Sequence, residues 1–132
     1  MRTIKFRAYV KDKEFMGEVL EISLLNEYAL VGLDAVGVFG GSQSFDFDEL
    51  EIMQHTGLKD KNGTEIYEGD ILQAEDDPEY LGYIYYSTGS LTYMLKNDYS
   101  FSLCLSTWQP EFLEVIGNIY ENSDLLDIYE SI

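Results

Sequence analysis

The 132-residue chain holds one cysteine, two prolines, one histidine and one tryptophan, and only eight lysines and arginines against 25 aspartates and glutamates. Each shortage excludes something. A lone thiol, Cys104, cannot form an internal disulfide, which suits a reducing compartment, and its place in the apolar run 101–105 reads as a buried thiol rather than a nucleophile. One histidine and one cysteine are too few for a His-rich or Cys-rich zinc site within a subunit. No apolar run approaches the roughly 20 residues of a membrane span, and no stretch of signal-peptide length follows Arg2, Lys5 and Arg7. No serine sits in a nucleophile elbow and no phosphate loop is present. The expectation is therefore a soluble cytoplasmic protein that is not an enzyme, with no cofactor, no metal and no membrane partner.

The scarcity of positive charge constrains partners most. The formal charge is −17, and it is uneven. Residues 62–132 carry a single basic residue, Lys96, against 14 acidic ones, whereas residues 1–13 carry Arg2, Lys5, Arg7, Lys11 and Lys13 against Asp12 alone. Duplex DNA and anionic membranes are bound by clustered Lys and Arg that displace counterions, and this composition repels phosphate instead. Direct nucleic-acid binding is excluded as an expectation. The acidity reads either as solubility or as attraction for a basic protein partner.

What the chain does have is turn chemistry. Residues 53–72 contain three glycines and an Asn-Gly pair between short apolar pieces. Asn62-Gly63 is the pair that most readily takes the positive backbone angles of a two-residue hairpin turn. Gly69 permits a tight corner, Asp70 can bond its own backbone, and Ile71-Leu72 starts a strand. The run Thr56-Gly57-Leu58-Lys59-Asp60-Lys61-Asn62-Gly63, then Ile66-Tyr67-Glu68-Gly69-Asp70-Ile71, resembles the signature of the YopX family of bacteriophage and prophage proteins. Ile4-Lys5-Phe6-Arg7-Ala8-Tyr9 and Glu114-Val115-Ile116-Gly117-Asn118-Ile119-Tyr120-Glu121-Asn122 agree with it, in the family's order.

The resemblance implies an SH3-type barrel and carries over no catalytic residue. It also implies a phage or prophage product acting in the cytoplasm of a bacterial host. Gly57, Asn62, Gly63, Tyr67, Glu68, Gly69 and Asp70 are the motif residues, expected to be structural.

Period-2 alternation supports a mainly β fold. Residues 3–10 alternate Ile4, Phe6, Ala8 and Val10 with Thr3, Lys5, Arg7 and Tyr9, and 11–14 turn the chain. Residues 15–24 suit a returning strand, while 21–30 fit a strand or a short helix equally. Phe45, Phe47, Ile52 and Met53 suit a barrel wall, with Asp46, Asp48, Glu49 and Glu51 on solvent as a charged face and not a metal site. Residues 80–86 and 91–95 read as the arms of a hairpin turning at 87–90, with a second hairpin near Asn97-Asp98. Residues 112–120 close the set, and Ser123-Asp124 would cap a terminal helix over 125–129. The expected fold is a small SH3-like barrel over 66–122, with a β appendage over 1–60 and short helices, as one domain across 1–132.

Other candidates for chemistry fail physical checks. With Gly63 placed as the obligatory glycine of a calcium loop, Leu58 and Gly69 fall at ligand positions, and neither coordinates. Glu75, Asp76, Asp77 and Glu79 read as a solvated acidic loop. A pairing of Cys104 with His55 has no local activating group.

The eleven tyrosines are the better lead. Tyr80, Tyr83, Tyr85 and Tyr86 crowd one arm, more than a small core buries when each ring oxygen needs a partner, so Tyr80, Tyr83 and Tyr85 are candidate interface residues. Two functional classes stay open. One is a non-catalytic phage accessory protein acting through contacts with a basic protein or with itself as a homo-oligomer. The other is an acidic mimic of nucleic acid that inhibits a host DNA- or RNA-binding protein.

Overall fold

Alternating short strands and glycine turns give a mainly β fold. The computed structural model describes residues 4–74, 81–87, 92–96, 102–104 and 110–126, with backbone alone for 87, 92–96, 102–104 and 110. The strands are β1 (Phe6–Val10), β2 (Phe15–Ser23), β3 (Tyr28–Gly32), β4 (Ser42–Asp46), β5 (Leu50–Lys59), β6 (Glu65–Tyr67), β7 (Asp70–Ala74), β8 (Leu81–Ser87), β9 (Thr92–Lys96), β10 (Ser102–Cys104) and β11 (Leu113–Asn118). Short 3-10 turns occupy Asp34–Val36, Phe47–Glu49 and Pro110–Phe112. The chain forms two compact units, residues 1–54 and 55–132, and β5 gives its first half to one and its second half to the other.

In the first unit the strand order is β4-β3-β2-β1-β5, every pair antiparallel. Ala8, Val10, Phe15, Ala29, Val31, Phe45 and Leu50 make its buried core, with Val19, Ile22, Leu33, Phe47 and Ile52 packed against them. Phe45, Phe47 and Ile52, expected in a barrel wall, lie in or against the core of an open sheet instead, and Met53 is buried as well. The turn at 11–14 is also where the sequence placed it, with Glu14 in the left-handed region and its N–H on the Val10 carbonyl.

The segment 21–30, open between helix and strand, is strand, turn and strand: β2 runs to Ser23 and β3 begins at Tyr28. Along β2 the inward set Phe15, Gly17, Val19 gives way to Ile22, a change of phase that needs one extra residue. The register supplies it, passing from Val19↔Val31 to Glu21↔Leu30. This bulge puts Leu20 and Glu21 on the outside together.

In the second unit β6 pairs the end of β5, and a five-stranded antiparallel sheet runs β10-β9-β8-β7-β11. Ile66, Leu72, Ile84 and Leu113 form its core, with Leu58, Ala74 and Val115 packed on them. Both expected hairpins are present as pairings, β8 with β9 and β9 with β10. The closed barrel expected over 66–122 is not: the described pairings leave β10 and β11 at opposite ends of an open sheet. The chain becomes helical at 124–126, and the rest of the expected terminal helix lies outside the described residues.

Candidate functional site

The glycine-rich signature builds two connected turns. At the first, β5 and β6 are joined by residues 60–64, but not through the two-residue turn that Asn62-Gly63 suggests. The Gly63 N–H bonds the Asp60 carbonyl at 3.1 Å and the Asp60 N–H bonds the Thr64 carbonyl at 2.9 Å, so these bonds enclose residues 61–63, one more than a two-residue turn. Of the pair only Gly63 is left-handed, at φ 81°. The reason is Asp60, whose side chain offers the backbone a better closure than a second left-handed residue would.

Asp60 is 6 % exposed, and its carboxylate bonds chiefly backbone. Oδ1 accepts the N–H groups of Asn62 (2.8 Å) and Thr64 (2.9 Å), and Oδ2 accepts that of Val115 on β11 (2.9 Å). Burial pushes the carboxyl pKa up, but the N–H groups of Val115, Thr64 and Asn62, with the Thr64 hydroxyl, outweigh it and hold it below its ordinary 3.8. The same turn meets β11 again through Lys61 N–H on the Leu113 carbonyl and Asn62 Nδ2 on Glu114 Oε1. The Lys61–Glu114 ion pair at 3.8 Å is partly exposed and adds little.

Gly57 lies in a bulge where residues 55–59 span the same length as 65–67 of the partner strand. It is left-handed at φ 88°, and its N–H donates to Nδ1 of the buried His55 at 3.0 Å. That bond makes Nδ1 an acceptor and assigns the proton of the neutral ring to Nε2, which lies 3.9 Å from Glu65 Oε1. The Tyr67 ring meets His55 edge-on at 5.2 Å. Thr56 Oγ1 donates to the Ile66 carbonyl and accepts the Leu58 N–H, which pins the bulge.

At the second turn Gly69 is left-handed at φ 85°, as a corner requires, with its N–H on the Ile84 carbonyl and its carbonyl on the Ile119 N–H. Asp70, fully buried, accepts the Tyr67 N–H on Oδ2 at 2.8 Å. Glu68 is half-buried between them.

The downstream piece of the signature closes the same way. Asn118 Oδ1 accepts the N–H groups of Tyr120 and Glu121, its Nδ2 donates to Glu121 Oε1, and its own N–H donates to Asn122 Oδ1. A side chain at Gly117 would strike Asn122, since a Cβ there would lie 2.5 Å from Oδ1. Gly57, Gly63, Gly69 and Asp70 are therefore built into the backbone, and Asp60, Asn118 and Asn122 join them. Those three were not singled out from the sequence. For Asp60 the signal was there in the spacing Asp60, Asn62, Thr64 of a side chain bonding backbone two and four residues on.

Of the candidate interface residues, Tyr83 and Tyr85 stand on β8 with ring centroids 6.1 Å apart, half-buried, while Tyr86 is exposed. Tyr80 and the acidic loop 75–79 lie outside the described residues. For a metal, the described residues offer one gathering: Asp46, Asp48 and Glu49, whose carboxylates come within 4.8 Å of one another at a 3-10 turn. Asp46 and Asp48 are exposed as expected and Glu49 is half-buried. Exposed acidic groups are common without an ion. Among the described residues no helix is long and apolar enough to cross a membrane.

Open antiparallel sheets whose polar turn residues bond their own backbone define the molecule as a mainly β protein with a structural signature. The chain belongs to the YopX family, whose YopX protein model matches residues 5–127. It is similar to the crystal structure of protein EF1440 from Enterococcus faecalis, with 30 % identity, a TM-score of 0.59, and coverage of 96 % of this chain and 99 % of that one. It is also similar to the crystal structure of protein yopX from Bacillus subtilis, with 18 % identity, a TM-score of 0.57, and coverage of 96 % and 97 %. No curated protein matches the chain.

Proposed function

We propose that the protein is a non-catalytic phage or prophage accessory protein that works in the cytoplasm of a bacterial host through contacts with a basic protein. The observation that supports this is the direction of the signature's polar groups. Asp60, Asp70, Asn118 and Asn122 all turn into the chain's own backbone, so the residues that mark the family make a scaffold. Function then falls to the surface of a chain whose formal charge is −17, and to the tyrosines of β8.

The scaffold itself is proposed to be SH3-like in its second unit. A four-stranded meander, β7 to β10, is followed by a 3-10 turn and then by β11, which returns to pair with β7, and that is the strand order of such barrels. Cross-strand amide contacts from β10 to another edge, observed by nuclear magnetic resonance, would show the closure; their absence would leave an open sheet.

The test of function is paired. A gel shift with duplex DNA or RNA alone at physiological salt is expected to show no binding. A partner recovered from host cells should be basic, and its hold should weaken as salt rises, because the screening length falls from about 10 Å at 0.1 M to about 3 Å at 1 M. Tight, salt-sensitive binding of free nucleic acid would overturn the proposal.

A further inference from the structure

The first unit exposes large apolar side chains where a strand bulge and one loop meet. The bulge turns Leu20 outward, 51 % exposed. Loop 33–41 presents Val36, Val38 and Phe39, the last 85 % exposed. This loop is held in one shape. Leu33 N–H bonds the Gly41 carbonyl, Val36 and Val38 N–H bond the Leu33 carbonyl, Gly41 N–H bonds the Val38 carbonyl, and Asp34 Oδ1 accepts the Gly40 N–H. Gly37 and Gly40 take the left-handed angles this requires, at φ 88° and 75°. An aromatic on such a support binds without a large ordering cost.

Leu20 also divides two depressions. One, of about 340 Å³, lies toward the loop and is lined by Met16, Glu18, Leu20 and Asp34 among others. The second, of about 310 Å³, lies toward the start of β1 and shares Glu18 and Leu20 with the first, adding Ile4 and Glu21. Together they give a groove with an apolar ridge.

Charge identifies the occupant. Residues 14–58, which supply the bulge, the loop and, among the described residues, every exposed large apolar residue of the unit except Ile4, contain nine acidic residues and no lysine or arginine. Glu18, Glu21 and Asp34 line the groove, exposed; among the described residues Lys5 is the one basic lining residue, and Arg7 stands opposite Glu18 on β1. A second copy of this chain would bring the same acids, and its basic residues Lys5, Arg7 and Lys11 lie in or beside β1. Nucleic acid and anionic membrane would be repelled.

We propose that this groove docks a polypeptide segment in which lysine or arginine alternates with large apolar side chains. The apolar residues seat around Leu20 and reach Phe39 on the loop that borders the groove through Gly40 and Gly41, and the cations meet Glu18, Glu21 and Asp34. The proposal rests on the protein-contact function above and adds its site and the chemistry of its partner.

The test uses the full chain, ¹⁵N-labelled, titrated with three short synthetic peptides alternating Lys with Leu, Glu with Leu, and Lys with Ser. The Lys–Leu peptide is expected to bind at least about tenfold more tightly than the others, with amide shifts gathered at 18–21 and 33–41 and with affinity falling as salt rises. Phe39→Ser and Leu20→Ser, at exposed positions, should leave other amides in place and weaken binding roughly tenfold. Failure of the Lys–Leu peptide to bind, equal binding of Glu–Leu, or shifts centred on β8 would overturn the site, as would sedimentation showing that Phe39→Ser abolishes a dimer. A physiological protein partner held equally well by Phe39→Ser would sink this site and leave the protein-contact function standing. Affinity for free nucleic acid would sink the protein-contact function and this site with it.

Discussion

Asp60→Ala is expected to destabilise the protein by about 3 kcal/mol or more, since it strips the acceptor from three backbone N–H groups, and a buried donor left unpaired costs roughly 1–3 kcal/mol. The Val115 N–H matters most. It lies within β11, where water has less access than at the exposed Asn62 and Thr64. Asp60→Asn should fall between, because one amide oxygen can still serve Asn62 and Thr64 while the NH₂ faces another donor. Acid gives an independent check. The folded pKa of Asp60 lies below its ordinary 3.8, so its contribution is complete above that value and is lost as pH falls through the lowered one. The gap between wild type and Asp60→Ala, measured by urea denaturation at neutral pH and at successively lower pH, should therefore narrow in acid. Comparing the two proteins matters because acid also relieves repulsion among 25 carboxylates and moves both curves. A neutral-pH difference under about 1 kcal/mol, or one that stays constant into acid, would show that the carboxylate is not the tie described.

Ile71→Ala and Leu72→Ala should each cost about 2–5 kcal/mol. Neighbouring residues in a strand point to opposite faces, yet both of these are fully buried. Strand β7 is therefore covered on both sides, with Leu72 in the core that includes Ile84 and Leu113. A sheet with one wet face would give one large loss and one below roughly 0.5 kcal/mol, the usual surface value. Denaturant midpoints of the two variants separate the cases, and an innocuous Ile71→Ala would refute the two-sided strand.

What was legible in the sequence was local. Gly69 and Gly63 announce their left-handed angles because few other residues tolerate them, and β1 and the β8–β9 hairpin announce themselves by alternation and a glycine turn. The segment 21–30 was not legible because its apolar letters mislead. Leu24 and Leu25 are 82 % and 89 % exposed on a hairpin tip, where they imitate one face of a helix. The tip is made by Ser23 Oγ accepting the Asn26 N–H and by Glu27 at φ 54°, a residue with no preference for that angle. The strand order of the second sheet and the Val115 partner of Asp60 depend on residues far apart in the chain, for which a single sequence has no local mark. Likewise the gathering of Asp46, Asp48 and Glu49 follows from a 3-10 turn that acidic letters do not specify. The bulge at Leu20 left only a trace, the jump in phase from Val19 to Ile22.

The carboxylate of Asp60 joins partners 2, 4 and 55 residues away, and these distances set an order in time. Closing the longest of the three loops costs about 2 kcal/mol more chain entropy than closing the four-residue one. As the chain leaves the ribosome, the turn at 60–64 can form at once, holding one oxygen, while the other waits in water for residue 115 to be synthesised. Only when β11 arrives does that oxygen give up its hydration, so the last described strand of the sheet is received by a charge put in place some fifty residues earlier.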